Sequence, residues 1–106
     1  LRILLDECVP RGLKKSFRQF ELILTVPDAG LAGYKNGHLL KRIEGRFDVF
    51  ITVDKSIEYQ QELGKHDVAF VLLRARSSDI ADIQPLVAKL LLRWAEVERR
   101  KLLVVE

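Results

Sequence analysis

The chain has no methionine, one cysteine, two histidines and three prolines among its 106 residues. A single cysteine, Cys8, excludes an intrachain disulfide and fits a reducing compartment, so a cytoplasmic location is the expectation. Cysteine and histidine are too few, and too scattered, for a zinc site. No apolar run approaches the roughly 18 residues that would mark a membrane span. No basic segment leading into an apolar segment and a cleavage site opens the chain, so no signal peptide is expected. The missing methionine is read as a missing initiator. No G-x-G-x-x-G follows the first apolar run, which argues against a dinucleotide site. Excess charge is also small: 18 Lys and Arg against 15 Asp and Glu, a net +3. That balance permits an RNA, DNA or acidic protein partner without requiring one.

What remains is an ordinary globular composition, 48% hydrophobic and 31% charged, at a length that suits one domain over residues 1–106. Two apolar runs stand out. Leu1-Arg2-Ile3-Leu4-Leu5 ends in Asp6-Glu7, and Asp48-Val49-Phe50-Ile51-Thr52-Val53 ends in Asp54. Both are short and bounded, and the second is rich in β-branched and aromatic residues, so both are predicted as buried strands.

The rest of the chain alternates. Pro10 suits the first turn of a helix carrying Val9, Leu13 and Phe17 on one stripe. Arg11, Lys14, Lys15 and Arg18 lie mostly off that stripe, as a solvated face or a nucleic-acid contact. Glu21 to Val26 is a second strand, broken by Pro27-Asp28-Ala29-Gly30. Asn36 then opens a helix to about Glu44, sharing a face with Leu39, Leu40 and Ile43; it reads as an N-cap or as a site residue. Gly45 stops that helix. Ile57 to Leu63 is predicted as a short helix, and Val68 to Leu73 as a central strand. Asp79 to about Arg99 is the longest predicted helix, with Ile80, Ile83, Val87, Leu90, Leu91, Trp94 and Val97 inward and Pro85 as a possible kink. Ser77 and Ser78 read as capping residues, with Asp79 and Asp82 suiting the helix dipole. Leu102 to Val105 closes the chain as a fifth strand.

Strands alternating with helices predict an α/β fold with a three-layer, mainly parallel five-stranded sheet in the order 2-1-3-4-5. That order makes strands one and three neighbours and sets Asp6 beside Asp54 at the switch point, where ligands bind in open parallel sheets. Crowded carboxylates repel unless a cation joins them, and an oxygen-only donor set selects Mg²⁺ or Mn²⁺. The chemistry implied is phosphoryl transfer or phosphodiester hydrolysis. Arg74 and Arg76 leave strand four on the same edge. They would either grip a substrate phosphate or pair with Asp6 or Asp54. Tyr59, Gln60 and Gln61 follow Asp54 closely enough to line the same pocket. Cys8 has a nucleophile reading but lacks a histidine partner, so a packed loop residue is the expectation.

Several blocks add a resemblance. Leu4-Leu5-Asp6-Glu7-Cys8-Val9-Pro10, Lys35-Asn36-Gly37 before Leu39-Leu40, Thr52-Val53-Asp54, Tyr59-Gln60-Gln61 and Leu73-Arg74-Ala75-Arg76-Ser77 resemble, in order and spacing, the PIN-like domains related to VapC-type toxins. The likeness spans nearly the whole chain. It implies a metal-dependent endoribonuclease ancestry, with Mg²⁺ or Mn²⁺ held by several acids, RNA as substrate, a small antitoxin-like protein as partner and a homodimer by analogy. Asp6 matches the first acid and Asp54 the acid after the neighbouring strand. Asn36 falls where the larger family places an acid, and Glu7 is a candidate to compensate. An amide oxygen can ligate a hard cation but brings no charge. The expectation is a metal-dependent ribonuclease of a toxin–antitoxin-like pair. The first alternative is a catalytically weakened module that binds an antitoxin-like partner or RNA. The second is a receiver-like phosphoacceptor, disfavoured because strand four exits into Arg74-Ala75-Arg76 and strand five carries no lysine at its far end.

Overall fold

The computed structural model describes residues 1–60 and 62–106, with the side chain of Asn36 also outside the description. Five strands form one sheet: β1 (Arg2–Leu5), β2 (Leu22–Thr25), β3 (Val49–Thr52), β4 (Ala69–Leu73) and β5 (Leu102–Val105). Every strand pairing is parallel and the order is β2-β1-β3-β4-β5, as expected. The fifth strand is a parallel edge beside β4.

The burial pattern explains why these runs are strands. All of Val49–Thr52 and all of Ala69–Leu73 are buried, which fits interior strands covered on both faces. Alternate side chains then feed two cores. Ile3, Leu5, Val49, Ile51, Val71 and Leu73 face Leu13, Phe17, Ile83, Val87 and Leu90. Leu4, Phe50, Phe70 and Leu72 face Leu39, Leu40, Ile43, Ile57 and Leu63. Each such fully buried apolar side chain contributes about 1.5–3 kcal/mol relative to exposure. Helix α1 (Asn36–Ile43) therefore covers one face of the sheet, and helix α2 (Ile80–Leu92) with the 3₁₀ segment Arg11–Phe17 covers the other. This is the three-layer arrangement.

Several local expectations are corrected. The stretch after Pro10 is a 3₁₀ helix, Arg11–Phe17, that starts with a Leu13 amide bond to the Pro10 carbonyl. Its length is only seven residues and Gly12 lies inside it, so an α-helix has little to propagate from. Ile57 to Leu63 is not one helix: 3₁₀ turns occupy Lys55–Tyr59 and Leu63–Lys65, although Ile57 and Leu63 are buried as expected. Gly64 lies within the second turn. The long helix stops at Leu92 instead of reaching Arg99. There the Arg93 amide bonds to both the Lys89 and Leu90 carbonyls, a 3₁₀ turn follows over Trp94–Glu96, and the Arg93 guanidinium pairs with Glu96 at 2.9 Å. Trp94 is half-buried against Phe20, with ring centroids 4.7 Å apart, while Ile80, expected inward, is exposed. Helix α1 starts at Asn36, with Lys35 in the flanking cap position, so Asn36 is its first residue and not its cap.

Candidate functional site

In the order β2-β1-β3-β4-β5 the chain reverses direction of travel between β1 and β3, so the crevice at their carboxyl ends is the switch point. Asp6 is the residue immediately beyond β1. Its amide still belongs to the ladder, donating to the Ile51 carbonyl at 2.9 Å, which fixes its position against β3. Asp54 lies two residues beyond β3 and opens the 3₁₀ turn Lys55–Tyr59. Its carboxylate caps that turn by accepting the Ser56 N–H at 2.9 Å.

Thr52 joins the two acids. Its hydroxyl donates to Asp6 Oδ2 at 2.6 Å and accepts the Asp54 N–H at 3.0 Å. Thr52 is 1% exposed, so this hydroxyl has no competing water. Asp6 Oδ1 accepts the Glu7 N–H at 2.8 Å, and the Cys8 thiol approaches Asp6 Oδ2 at 3.6 Å. Burial, with the nearby Asp6 charge adding, pushes the Cys8 thiol up, against the Thr52 contact that pulls it down. A protonated thiol donates to Asp6 and is a poor nucleophile, which agrees with the packed-loop reading.

Two adjoining clefts share Asp6, Leu39 and Asp54. The wider, about 300 Å³, is lined by those three with Glu7, Cys8, Tyr34 and Lys35. The narrower, about 70 Å³, runs inward beside Thr52, Ser56, Gln60 and the apolar residues Phe50 and Ile57. Helix α1 contributes Leu39 and Leu40, so it roofs the site with the same face that packs on the sheet.

The sequence-derived candidates divide on this geometry. Asp6, Asp54, Glu7 and Gln60 border the clefts. Asn36 follows the cleft-lining Lys35 in the chain, and its side-chain role lies outside the described residues, as does Gln61. Tyr59 borders neither cleft and is 83% exposed. Arg76 is exposed and also borders neither. Arg74 pairs with Glu58 at 3.4 Å and Glu106 at 3.5 Å, not with Asp6 or Asp54. The reason is topological: β5 lies beside β4, so its end brings Glu106 to Arg74, while the turn after Asp54 brings Glu58. Among the described residues no three His, Cys, Asp or Glu side chains converge as a metal-binding group.

No family model, characterised protein or solved structure matches this chain. The site must therefore be argued from its own chemistry. Three cleft residues escaped the sequence reading as site residues. Thr52 was legible in principle, because in Thr52-Val53-Asp54 the first and third residues alternate to one side. Tyr34 and Lys35 belong to a loop with no periodicity, and only the fold carries them to the acids.

The donor set can be tested against a hard cation. Each carboxylate oxygen has two lone pairs, so the amide and hydroxyl donors orient Asp6 and Asp54 and leave acceptor capacity over. Mg²⁺ needs only one or two carboxylates and keeps several waters. Two oriented carboxylates on one cleft meet that minimum.

Proposed function

We propose that the Asp6–Asp54 cleft is a PIN-like nuclease site that uses Mg²⁺ or Mn²⁺ to hydrolyse RNA phosphodiesters. The observation that carries the proposal is the pair of strand-end carboxylates on one cleft, with the buried Thr52 hydroxyl donating to the Asp6 carboxylate and accepting the Asp54 backbone N–H. The resemblance of the five sequence blocks to PIN-like domains supplies the reaction class.

Asp6 and Asp54 would hold the cation. When bound, it would supply an acidified water and positive charge beside the phosphoryl oxygens. The chain's residues do the positioning. Thr52 and the Glu7 amide fix the direction of the Asp6 carboxylate by donating to its two oxygens. Ser56 does the same for Asp54. Leu39 and Leu40 narrow the cleft and limit the water that competes there. Arg74 is engaged by Glu58 and Glu106, so phosphate binding is not assigned to it.

A second reading is a PIN-like module whose work is binding RNA or an antitoxin-like partner. It is favoured by the lack of a third convergent acid among the described residues, since fewer charges weaken cation affinity. The two readings separate in one experiment. A labelled RNA pool is incubated with Mn²⁺ and either the wild type or Asp54→Asn prepared identically. Cleavage by the wild type alone, lowered at least tenfold in the variant, supports the nuclease. Equal cleavage by both removes this site from the reaction. No cleavage by either folded protein leaves the binding module.

A further inference from the structure

Three of the six cations first offered as nucleic-acid or phosphate contacts are engaged elsewhere. Arg11 and Lys14 pair with Asp28, and Arg74 pairs with Glu58 and Glu106. Lys35 differs. It borders the same wider cleft as the acids, is exposed, and forms no ion pair among the described residues. Its neighbour Tyr34 borders the same cleft and is 38% exposed. The Arg42 guanidinium, in the last turn of α1, lies over the Tyr34 ring at 4.1 Å from its centroid. A ring held by a cation on one side loses little freedom when a planar group stacks on its open surface.

An aromatic ring and a free ammonium side by side on the wall of an acidic cleft match the parts of one nucleotide. The base has a π-face for Tyr34, and the phosphate has charge for Lys35. On this ground, and resting on the nuclease or RNA-binding reading above, we infer that Tyr34 and Lys35 form a nucleotide subsite beside Asp6 and Asp54. Tyr34, backed by Arg42, stacks an unpaired nucleobase. Lys35 binds the adjoining phosphate and holds the backbone over the acids. Neither residue carries out chemistry; both are substrate-binding groups. The aromatic platform accepts any base, so this subsite selects for a base that is splayed out of a helix rather than for its identity.

The test is fluorescence anisotropy of a labelled single-stranded RNA with the full chain, in Ca²⁺ to suppress turnover. A second probe of the same length carries abasic positions. The wild type should bind the base-bearing RNA more tightly than the abasic one. Tyr34→Ala should weaken binding of the base-bearing RNA about tenfold, the scale of one lost stacking contact, and should lose the preference over the abasic probe. Tyr34→Phe should bind like the wild type, which guards against a merely misfolded variant. Lys35→Ala should weaken both probes alike and reduce the slope of log affinity against log salt by about 0.7, one single-strand phosphate contact. If the wild type binds RNA but Tyr34→Ala binds equally well with its abasic discrimination intact, the subsite is wrong and the reading of the Asp6–Asp54 cleft stands. If the wild type binds no RNA, both fall.

Discussion

Thr52 shows how much one hydroxyl can organise. It serves as donor to Asp6 and acceptor for the Asp54 amide, and both are partly buried. Thr52→Val keeps the shape and removes the hydroxyl, leaving Asp6 Oδ2 short of a donor and the Asp54 N–H without its acceptor. A loss of about 1–2 kcal/mol in urea unfolding is expected, together with weaker Mn²⁺ binding, and Thr52→Ser should recover most of both. A Thr52→Val variant as stable as the wild type would mean that the bridge contributes nothing. Asp48 does comparable work at the opposite end of the sheet. Its carboxylate accepts the Arg2 amide at 2.7 Å and both the Arg2 and Arg99 guanidiniums, which hold it well below the usual aspartate range. Asp48→Ala should cost about 2 kcal/mol, the scale of hydrogen bonds to a charged group, with the urea m-value unchanged and RNA cleavage per folded molecule unaffected. The sequence marks Asp48 only as the start of an apolar run, because its partners are distant in the chain.

Among the elements, α2 best separates local signal from tertiary constraint. Its stripe is clear, and Ile83, Val87 and Leu90 are buried as their spacing predicts. Its end was not legible. Apolar residues at helical spacing continue through Trp94 and Val97, but the chain must turn back to begin β5 at Leu102. Arg100, with φ of 68°, marks that reversal. Pro85 sits inside the helix, exposed to solvent, where it removes one backbone donor. Pro85→Ala restores that donor without touching the core. It should raise stability by about 1 kcal/mol, since the restored bond outweighs the greater freedom of the unfolded alanine chain; a fall in the urea midpoint would contradict this. Strand limits were easier to read, because continuous apolar runs of four or five residues flanked by turn chemistry leave few alternatives.

For the whole molecule, the distribution of paired charge sets the response to acid. The Lys14 ammonium and the Thr25 groups beside Asp28, with Arg11 adding, lower its carboxyl from an ordinary 3.8 to about 2. Asp48 is lowered as well, chiefly by Arg2. A depressed carboxyl binds fewer protons in the folded state than in the unfolded one. Its contribution is therefore complete above the unfolded value near 4 and is lost as pH falls through the folded value. Thermal unfolding followed by circular dichroism should give a melting temperature that is steady above about pH 5 and declines towards pH 2. Asp28→Asn should flatten part of that decline; an unchanged slope would show that Asp28 is not linked to folding. The same pairing takes Arg11 and Lys14 out of the basic face that the sequence presents as an RNA contact.

The alternation of apolar runs, the turn residues between them and the acids at their ends were sufficient, without coordinates, to specify an α/β sheet of order 2-1-3-4-5 and to set Asp6 beside Asp54. Those are consequences of periodicity and chain handedness, which act locally and through general rules. Partner choice is different in kind. Thr52 reaches Asp6 across 46 residues, and Arg74 reaches Glu106 across 32. Which donor meets which carboxylate, and which aromatic lines the cleft, depends on strand register and loop path, and these exist only once the layers have packed. The strand-end acids were therefore written in the chain. The hydroxyl between them, the capture of Arg74 and the Tyr34–Lys35 wall were decided by the tertiary structure.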